Sequence, residues 1–365
     1  MIITMNISEK KKSKRKSLNT KPNANASKGN SRKKVKYLLL LIGVIAVFAG
    51  YVFINDALTG YGQEGKWVYI PKGSTESAIK DSIMNIGEDA GKATISSISV
   101  LGKISDVKPG AYRVSTGDKP IRIARRMLYG HQTPVKVIFN NIRTMDQLAA
   151  KVSSQMSFSS DNFMRACDTI LTKAGYRKEQ FPAAFIPDSY EFYWTADAAT
   201  VVNTLLSHHD KFWTDLRKSK AAQLGLTPSD VAVVASIVEE ESAKKSEHGT
   251  IARLYINRLD RNMPLQADPT VKFAVGDFSL RRITQQHIQK RSPYNTYLNH
   301  GLPPGPIRIP EKTTLDEVLN CSKHDYIYMC AKEDFSGYHN FASDYNTHLA
   351  NARRYQAELN KRGIK

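Results

Sequence analysis

The stretch "LTPSDVAVVASIVEEES", Leu226 to Ser242, decides how the rest of the chain is read. Thr227 is a natural helix N-cap, Pro228 suits the first helical position, and Asp230 can reach back to close a capping box. Positions 231–238 are apolar or small nearly all round, so the helix they form is buried. Ser246 and Glu247 then read as the cap of a second helix, with Ile251, Leu254, Tyr255 and Leu259 as its stripe. Glu239, Glu240 and Glu241 therefore fall at the C-terminal end of a buried helix, where the helix dipole disfavours negative charge.

Two readings of the three glutamates follow. In the first they are a solvated helix end, with Glu240–Lys244 and Glu241–Lys245 as i,i+4 pairs in the favourable order. In the second, one of them does chemistry. Val231, Val234, Val238 and Glu241 follow 3-4-3 spacing, so Glu241 extends a branched apolar stripe. A carboxyl desolvated there keeps its proton near neutral pH, as a general acid must. Glu239 lies beneath Ala232, Ala235 and Ser236, a small-residue face suited to close helix packing. Glu240 continues Val233 and Ile237, so periodicity favours Glu241 and leaves Glu240 open.

Upstream, "TMDQLAAKV" carries a capping-box pattern, Thr144 with Gln147, and helical patterns dominate from there to about Leu224. The interruption "FIPDSYEFYW" reads as an aromatic-rich loop holding Phe185, Tyr190, Phe192, Tyr193 and Trp194. Those rings serve either as core packing or as a wall on which sugar rings stack. Before Thr144 lies a small α+β unit. "KWVYI" reads as a strand, and Ser74 as the cap of a short helix presenting Ala78, Ile79, Ile83 and Ile86. Ala111–Val114 is a short strand after the Pro109-Gly110 turn. Asp118 with Pro120 opens a helix that Gly130 ends, and Val135, Val137 and Phe139 alternate as a strand.

Further upstream, "YLLLLIGVIAVFAGYVFI", Tyr37 to Ile54, is an uncharged run about long enough to cross a bilayer core. Residues 1–36 carry 12 Lys/Arg and one Glu, +11 of the chain's +19 charge, and lack hydrophobic periodicity, which predicts disorder. A basic tail can bind nucleic acid, but the apolar run behind it argues for a membrane anchor, not a nucleic-acid partner. The positive-inside rule then puts the tail in the cytoplasm and everything after Asp56 outside. A cleaved signal peptide fits less well, because the apolar run is long and no clean small-x-small site follows. The expected organisation is a basic tail (1–36), a transmembrane helix (37–54), an α+β module (55–140) and a mostly helical domain (141–365).

The other residues narrow the chemistry. Three cysteines, Cys167, Cys321 and Cys330, form no CxxC; a Cys321–Cys330 bridge is permitted but not suggested. No His pair has zinc-ligand spacing. There is no G-x-S-x-G, P-loop or dinucleotide fingerprint in a fitting context, so nucleophile triads and phosphate cofactors drop out. "LQADPTV" sets Gln266 and Asp268 on a Pro-fixed turn, and "SPYNTYLNHGLPPGPI" is a long loop carrying Tyr294, Asn295, Thr296 and Tyr297.

"ASIVEEES", "YINRLDRNMPLQADPTV", "SPYNTY", "GLPPGPI" and "HNF", in this order and spacing, resemble the YceG-like endolytic murein transglycosylases; "KPGAYRV" and "IPDSYEFYW" resemble that family's upstream segments. The resemblance spans roughly residues 64–357. It implies an α+β chain with one N-terminal transmembrane helix, a small LysM-like module and a mostly helical catalytic domain with short strands. It further implies an inner-membrane enzyme with a periplasmic body that acts on nascent peptidoglycan beside peptidoglycan synthases, without metal or organic cofactor. The family's acid, third after "IV", matches Glu241. Gln266, Asp268, Tyr294, Asn295 and Thr296 match cleft motifs, and Asn340 is a further substrate-binding candidate. The family often has Asn after the H-x-F triplet where this chain has Ala342, a departure that bears on Asn340.

One carboxyl suffices for a lytic transglycosylase, because the substrate's own MurNAc 6-hydroxyl is the nucleophile. A glycoside hydrolase usually needs two. The rival readings are a muramidase pairing Glu241 with Asp268 or Glu247, and a non-catalytic peptidoglycan-binding division scaffold.

Overall fold

A computed structural model describes residues 26–58, 65–280 and 282–363. They fall in two compact units, Met1–Gly60 and Tyr61–Lys365. In the first, a single helix α1 covers Ala26–Leu58, and its stretch Lys33–Tyr51 is long and apolar enough to cross a membrane. The helix as described takes in residues 26–36 of the expected basic tail; the tail up to residue 25 lies outside the described residues. Lys, Arg and Ala are good helix formers, so α1 extends past the apolar run into its basic flank.

The second unit opens with strand β1 (Lys66–Ile70), helices α2 (Glu76–Met84) and α3 (Glu88–Leu101), strand β2 (Gly110–Val114) and helix α4 (Pro120–Tyr129). β1 pairs antiparallel with β2, Val68 opposite Tyr112. Alternation sends Val68 and Ile70 inward, where they meet Ile79, Ile83, Ile98, Tyr112, Ile123 and Met127. Two caps differ from expectation by one residue. Ser74 gives its hydroxyl to the Pro71 carbonyl, so Thr75 caps α2 by accepting from Ala78 N–H. The Asp118 carboxylate accepts from Ser115 N–H and Arg126, so α4 starts after Lys119 with Pro120 at its first position.

Strand β3 (Val135–Phe139) alternates as expected, but its partner comes from far along the chain: β4 (Asp188–Phe192), with Val137 opposite Tyr190. β4 lies inside the segment expected to be a loop. The aromatics there hid a period of two, with Tyr190 and Phe192 inward and Ser189 and Glu191 outward. Helices α5 (Met145–Ser153), α6 (Ser160–Lys173) and α7 (Ala198–Phe212) cover the sheet around Phe139, Phe163, Phe185 and Leu205. Phe185, Tyr190 and Phe192 are therefore core. Tyr193 is exposed, and Trp194 packs at 5.1 Å against Tyr69 of β1. Thr144 caps α5 through Gln147 N–H, but the Gln147 side chain accepts from Arg143 N–H, so the box is not reciprocal.

The remaining elements surround one helix. They are α8 (Asp215–Gln223), α9 (Pro228–Glu241), α10 (His248–Asp260), α11 (Asp268–Val275), α12 (Gln285–Ile288), α13 (Lys312–Leu319), the hairpin β5 (Tyr328–Ala331) and β6 (His339–Ala342), and α14 (Tyr345–Lys361). The Thr227–Asp230 capping box starts α9 as expected, and every residue from Val231 to Val238 is buried. Each buried branched side chain contributes about 1.5–3 kcal/mol, so α9 is the pillar of this core. The three cysteines are free thiols; Cys167 lies in the core, where burial pushes its thiol up to about 12.

Candidate active site

α9 ends at Glu241 because Ser242 turns to extended backbone, φ −138° and ψ 130°. The i,i+4 pairs with Lys244 and Lys245 therefore never form, and the Lys244 ammonium sits 4.9 Å from the centre of the Tyr338 ring. The three glutamates go to three environments. Glu239 Oε1 accepts from Glu311 N–H at 2.6 Å, at the start of α13. Its Oε2 lies 3.0 Å from Arg308 Nε without hydrogen-bond alignment. Burial raises its pKa. Glu240 is gripped by two arginines, Arg143 Nη2 at 2.9 Å and Arg308 Nη1 at 2.8 Å.

Among the described residues, no backbone N–H and no arginine bonds the Glu241 carboxyl. Its partner is the Tyr255 hydroxyl, which donates to Oε1 at 2.6 Å from the buried face of α10. Protein crowds the carboxyl, although the residue keeps some open surface. Burial pushes its pKa up to about 7; the Tyr255 bond opposes this, the Asp268 charge adds to it, and Lys272 and Arg258 pull it down. A carboxyl set this way holds a proton near neutrality and can also give it up.

A second wall stands beside it. Asp268 is the first residue of α11, and its Oδ1 accepts from the Tyr297 hydroxyl at 2.6 Å. Burial, then this bond, hold the Tyr297 phenol above its ordinary range. Gln266 sits at φ +50°, exposed, with its N–H donating to Thr296 O at 3.1 Å. Thr296 is buried; its Oγ1 accepts from Ala267 N–H at 3.0 Å and lies 2.8 Å from Thr270 Oγ1. Asn295 is also buried. Its amide donates to Ile288 O and Lys290 O at 2.7 and 2.8 Å and accepts from Tyr297 N–H at 3.0 Å. Asn295 and Thr296 thus spend these groups on fastening the 292–297 loop, with Tyr297, onto the Gln266–Thr270 turn. Tyr294 packs on Phe273 at 4.6 Å, and burial pushes its hydroxyl up to about 12.

Of the residues singled out from sequence, Glu241 and Asp268 come within electrostatic reach of each other, while Gln266, Tyr294, Asn295 and Thr296 build or brace the wall that carries Asp268. Asn340 is on β6 and donates to Glu333 Oε2 at 2.8 Å, beside Arg354; among the described residues no hydrogen bond or ion pair ties it to Glu241. Ala342, the residue after the H-x-F triplet, is buried opposite Tyr328. Tyr255, Arg258, Lys272 and Tyr297 complete the group; in the sequence Tyr255 reads as part of an apolar stripe and Tyr297 as a loop residue, and none of the four is given a role there. Arg258 was legible as a charge three residues past Tyr255, on the inward face of α10. Its Nε donates to Ile327 O and its Nη1 to Leu265 O, both at 2.7 Å. Glu247, read as a helix cap, makes no capping bond; it binds His339 instead. No cluster of three or more His, Cys, Asp or Glu able to hold a metal occurs among the described residues.

Known proteins resemble this chain in sequence and in fold. A Bacillus subtilis protein named endolytic murein transglycosylase is 35% identical over 128 residues, 35% of this chain and 34% of its own length. A Streptococcus pneumoniae protein of the same name is 25% identical over 322 residues, 78% of this chain and 58% of its own length. The chain thus spans about a third of the first relative and somewhat over half of the second. A crystal structure of a yceG-like protein from Listeria monocytogenes, 24% identical, superposes with a TM-score of 0.51 over 79% of this chain and 99% of that one, so the fold is shared. Residues 68–354, which run from within β1 into α14, match the profile of the YceG-like family, and the chain belongs to that family.

Proposed function

We propose that this chain is a membrane-anchored endolytic lytic transglycosylase of peptidoglycan, with Glu241 as its one acid and base. The observation that carries the reading is the separation of the three glutamates. Two are committed to the fold, and the third holds a carboxyl at about 7 against a single tyrosine. Protonated Glu241 donates to the bridging oxygen of the MurNAc-β-1,4-GlcNAc bond, and the C1–O bond breaks. Positive charge develops at C1, beside the Asp268 carboxylate held by Tyr297. Glu241, now a carboxylate favoured by Tyr255, Arg258 and Lys272, takes the proton of the MurNAc 6-hydroxyl. That oxygen closes on C1 to give the 1,6-anhydro sugar. The proton returns to Glu241, no water is consumed, and no cofactor is needed.

Helix α1 supports a single-pass anchor, and the basic residues before it support a cytoplasmic N-terminus with the body outside. The β–α–α–β order of residues 66–114 supports reading the first module as LysM-like. Synthases that extrude glycan at the same membrane face are the partners such a reaction implies. One observation favours a second reading, hydrolysis with Asp268 activating water: the Asp268 charge reaches Glu241. Glu247 is not available for that part, because both its oxygens are engaged by His339. Assay of Glu241→Gln on uncross-linked peptidoglycan tests the proposal. Loss of glycan release is expected, and release at the wild-type rate refutes it.

A further inference from the structure

α10 holds the end of α9 at two heights. Tyr255 reaches the Glu241 carboxyl. Seven residues earlier, two turns down the same face, His248 Nε2 donates to the Ser242 carbonyl at 2.9 Å. A carbonyl only accepts, so Nε2 carries the proton, and Nδ1 faces Thr314 Oγ1 of α13 at 3.3 Å. Glu247 takes the other side of Ser242: its Oε2 accepts from Ser242 Oγ at 3.3 Å, while that hydroxyl accepts from Lys244 N–H at 3.0 Å. Ser242 N–H donates to Val238 O at 3.2 Å. Glu247 is fixed in turn by His339, through its backbone N–H to Oε1 at 2.9 Å and its ring Nδ1 to Oε2 at 3.0 Å.

Ser242, Glu247 and His248 are all buried. Ending a helix does not require such a network, since one extended residue does that. Its effect is local and geometric. Every polar atom of Ser242 is bonded: its N–H ties the Glu241–Ser242 peptide plane back to Val238, while His248 on its carbonyl and Glu247 on its hydroxyl hold Ser242 itself in place, so the backbone from which the Glu241 side chain leaves is anchored on its C-terminal side.

We propose that Glu247 and His248 are positioning residues that aim Glu241 at the glycosidic oxygen, an inference that rests on Glu241 being the acid. His339 closes the clamp from β6 and makes the hairpin part of the aiming device. Neither residue touches substrate; each acts through Ser242.

The test uses the full chain and uncross-linked peptidoglycan polymer, with kcat and KM measured separately. His248→Leu removes the donor to Ser242, and His248→Gln keeps an amide N–H near the Nε2 position. Displacing a reacting group by about 1 Å costs on the order of 100-fold, so His248→Leu is expected to lower kcat by roughly 10- to 100-fold with KM within about 3-fold. His248→Gln is expected to recover kcat to within about 3-fold of wild type. A wild-type kcat in the Leu variant, or a Gln variant no better than Leu, overturns the proposal. Because a buried His→Leu change can unfold the chain, the isosteric Glu247→Gln provides a second measure: a lowered kcat at unchanged KM supports the clamp, and an unchanged kcat overturns it. Activity surviving in Glu241→Gln is a separate result that removes the acid itself.

Discussion

The Tyr255 hydroxyl and Glu241 Oε1 are 2.6 Å apart, and among the described residues no lysine or arginine forms an ion pair with Glu241. The tyrosine stabilises the charged carboxylate, so it lowers a pKa that burial has raised to about 7. Tyr255→Phe therefore raises that pKa further. The protonated acid is the working form, so activity falls as pH rises through it. The alkaline limb of kcat/KM is expected to move up by roughly one pH unit, the effect of losing one hydrogen bond to a charged group. A limb that stays in place in the Phe variant contradicts the assignment.

Glu241 also carries a stability cost. Its folded pKa of about 7 lies above its ordinary value of 4.5, so the folded state binds more protons between those limits. Folding stability is then lost as pH rises from about 4.5 to 7, and the cost is fully present above pH 7. Glu241→Gln removes it. At pH 8 the variant is expected to be more stable than wild type by on the order of 2–3 kcal/mol, with the difference vanishing near pH 4. Thermal melts at the two pH values check both sign and window.

Glu240 behaves in the opposite sense. It neutralises Arg143 and Arg308, and the Arg308 side chain is only 11% exposed. Glu240→Gln leaves the Arg143 guanidinium without its counter-charge and Arg308 with Glu239 alone, and is expected to destabilise the chain by about 1–3 kcal/mol. The alkaline limb set by Glu241 should stay where it is. Chemical denaturation and a pH–rate profile on the same variant separate the two effects.

Much of this was legible in the sequence. The Thr227–Asp230 box, the buried run from Val231 to Val238 and the strand at Val135–Phe139 each rest on local rules, and each is where those rules put it. The pairing of β3 with β4 was not legible, because nothing local joins residues about fifty positions apart. β4 itself was masked by its aromatics, which read equally well as a loop. For the glutamates, helical periodicity favoured Glu241 but could not clear Glu240. What clears it is Arg143 and Arg308, 97 and 68 residues away. Tyr255 reads in the sequence as packing, because a tyrosine in an apolar stripe looks like core until its hydroxyl finds a carboxyl.

The wall carrying Asp268 depends on Thr296. Thr296→Val keeps the shape but strands the Ala267 N–H, which loses its 3.0 Å acceptor. An unsatisfied buried donor costs about 1–3 kcal/mol, so the melting temperature is expected to drop. Slackening of the Gln266–Thr270 turn should also loosen the Asp268–Tyr297 pair and lower kcat/KM. A variant with both quantities unchanged argues against this bracing role.

The central claim is that Glu241 works alone, first as acid and then as base. The most direct measurement is mass spectrometry of glycan released from uncross-linked peptidoglycan by the full chain, with Glu241→Gln in parallel. The account predicts fragments ending in 1,6-anhydro-MurNAc, lighter by one water than hydrolysis products, and none from the variant. Reducing-end MurNAc of full mass from the wild-type chain, or anhydro ends from Glu241→Gln, would contradict it.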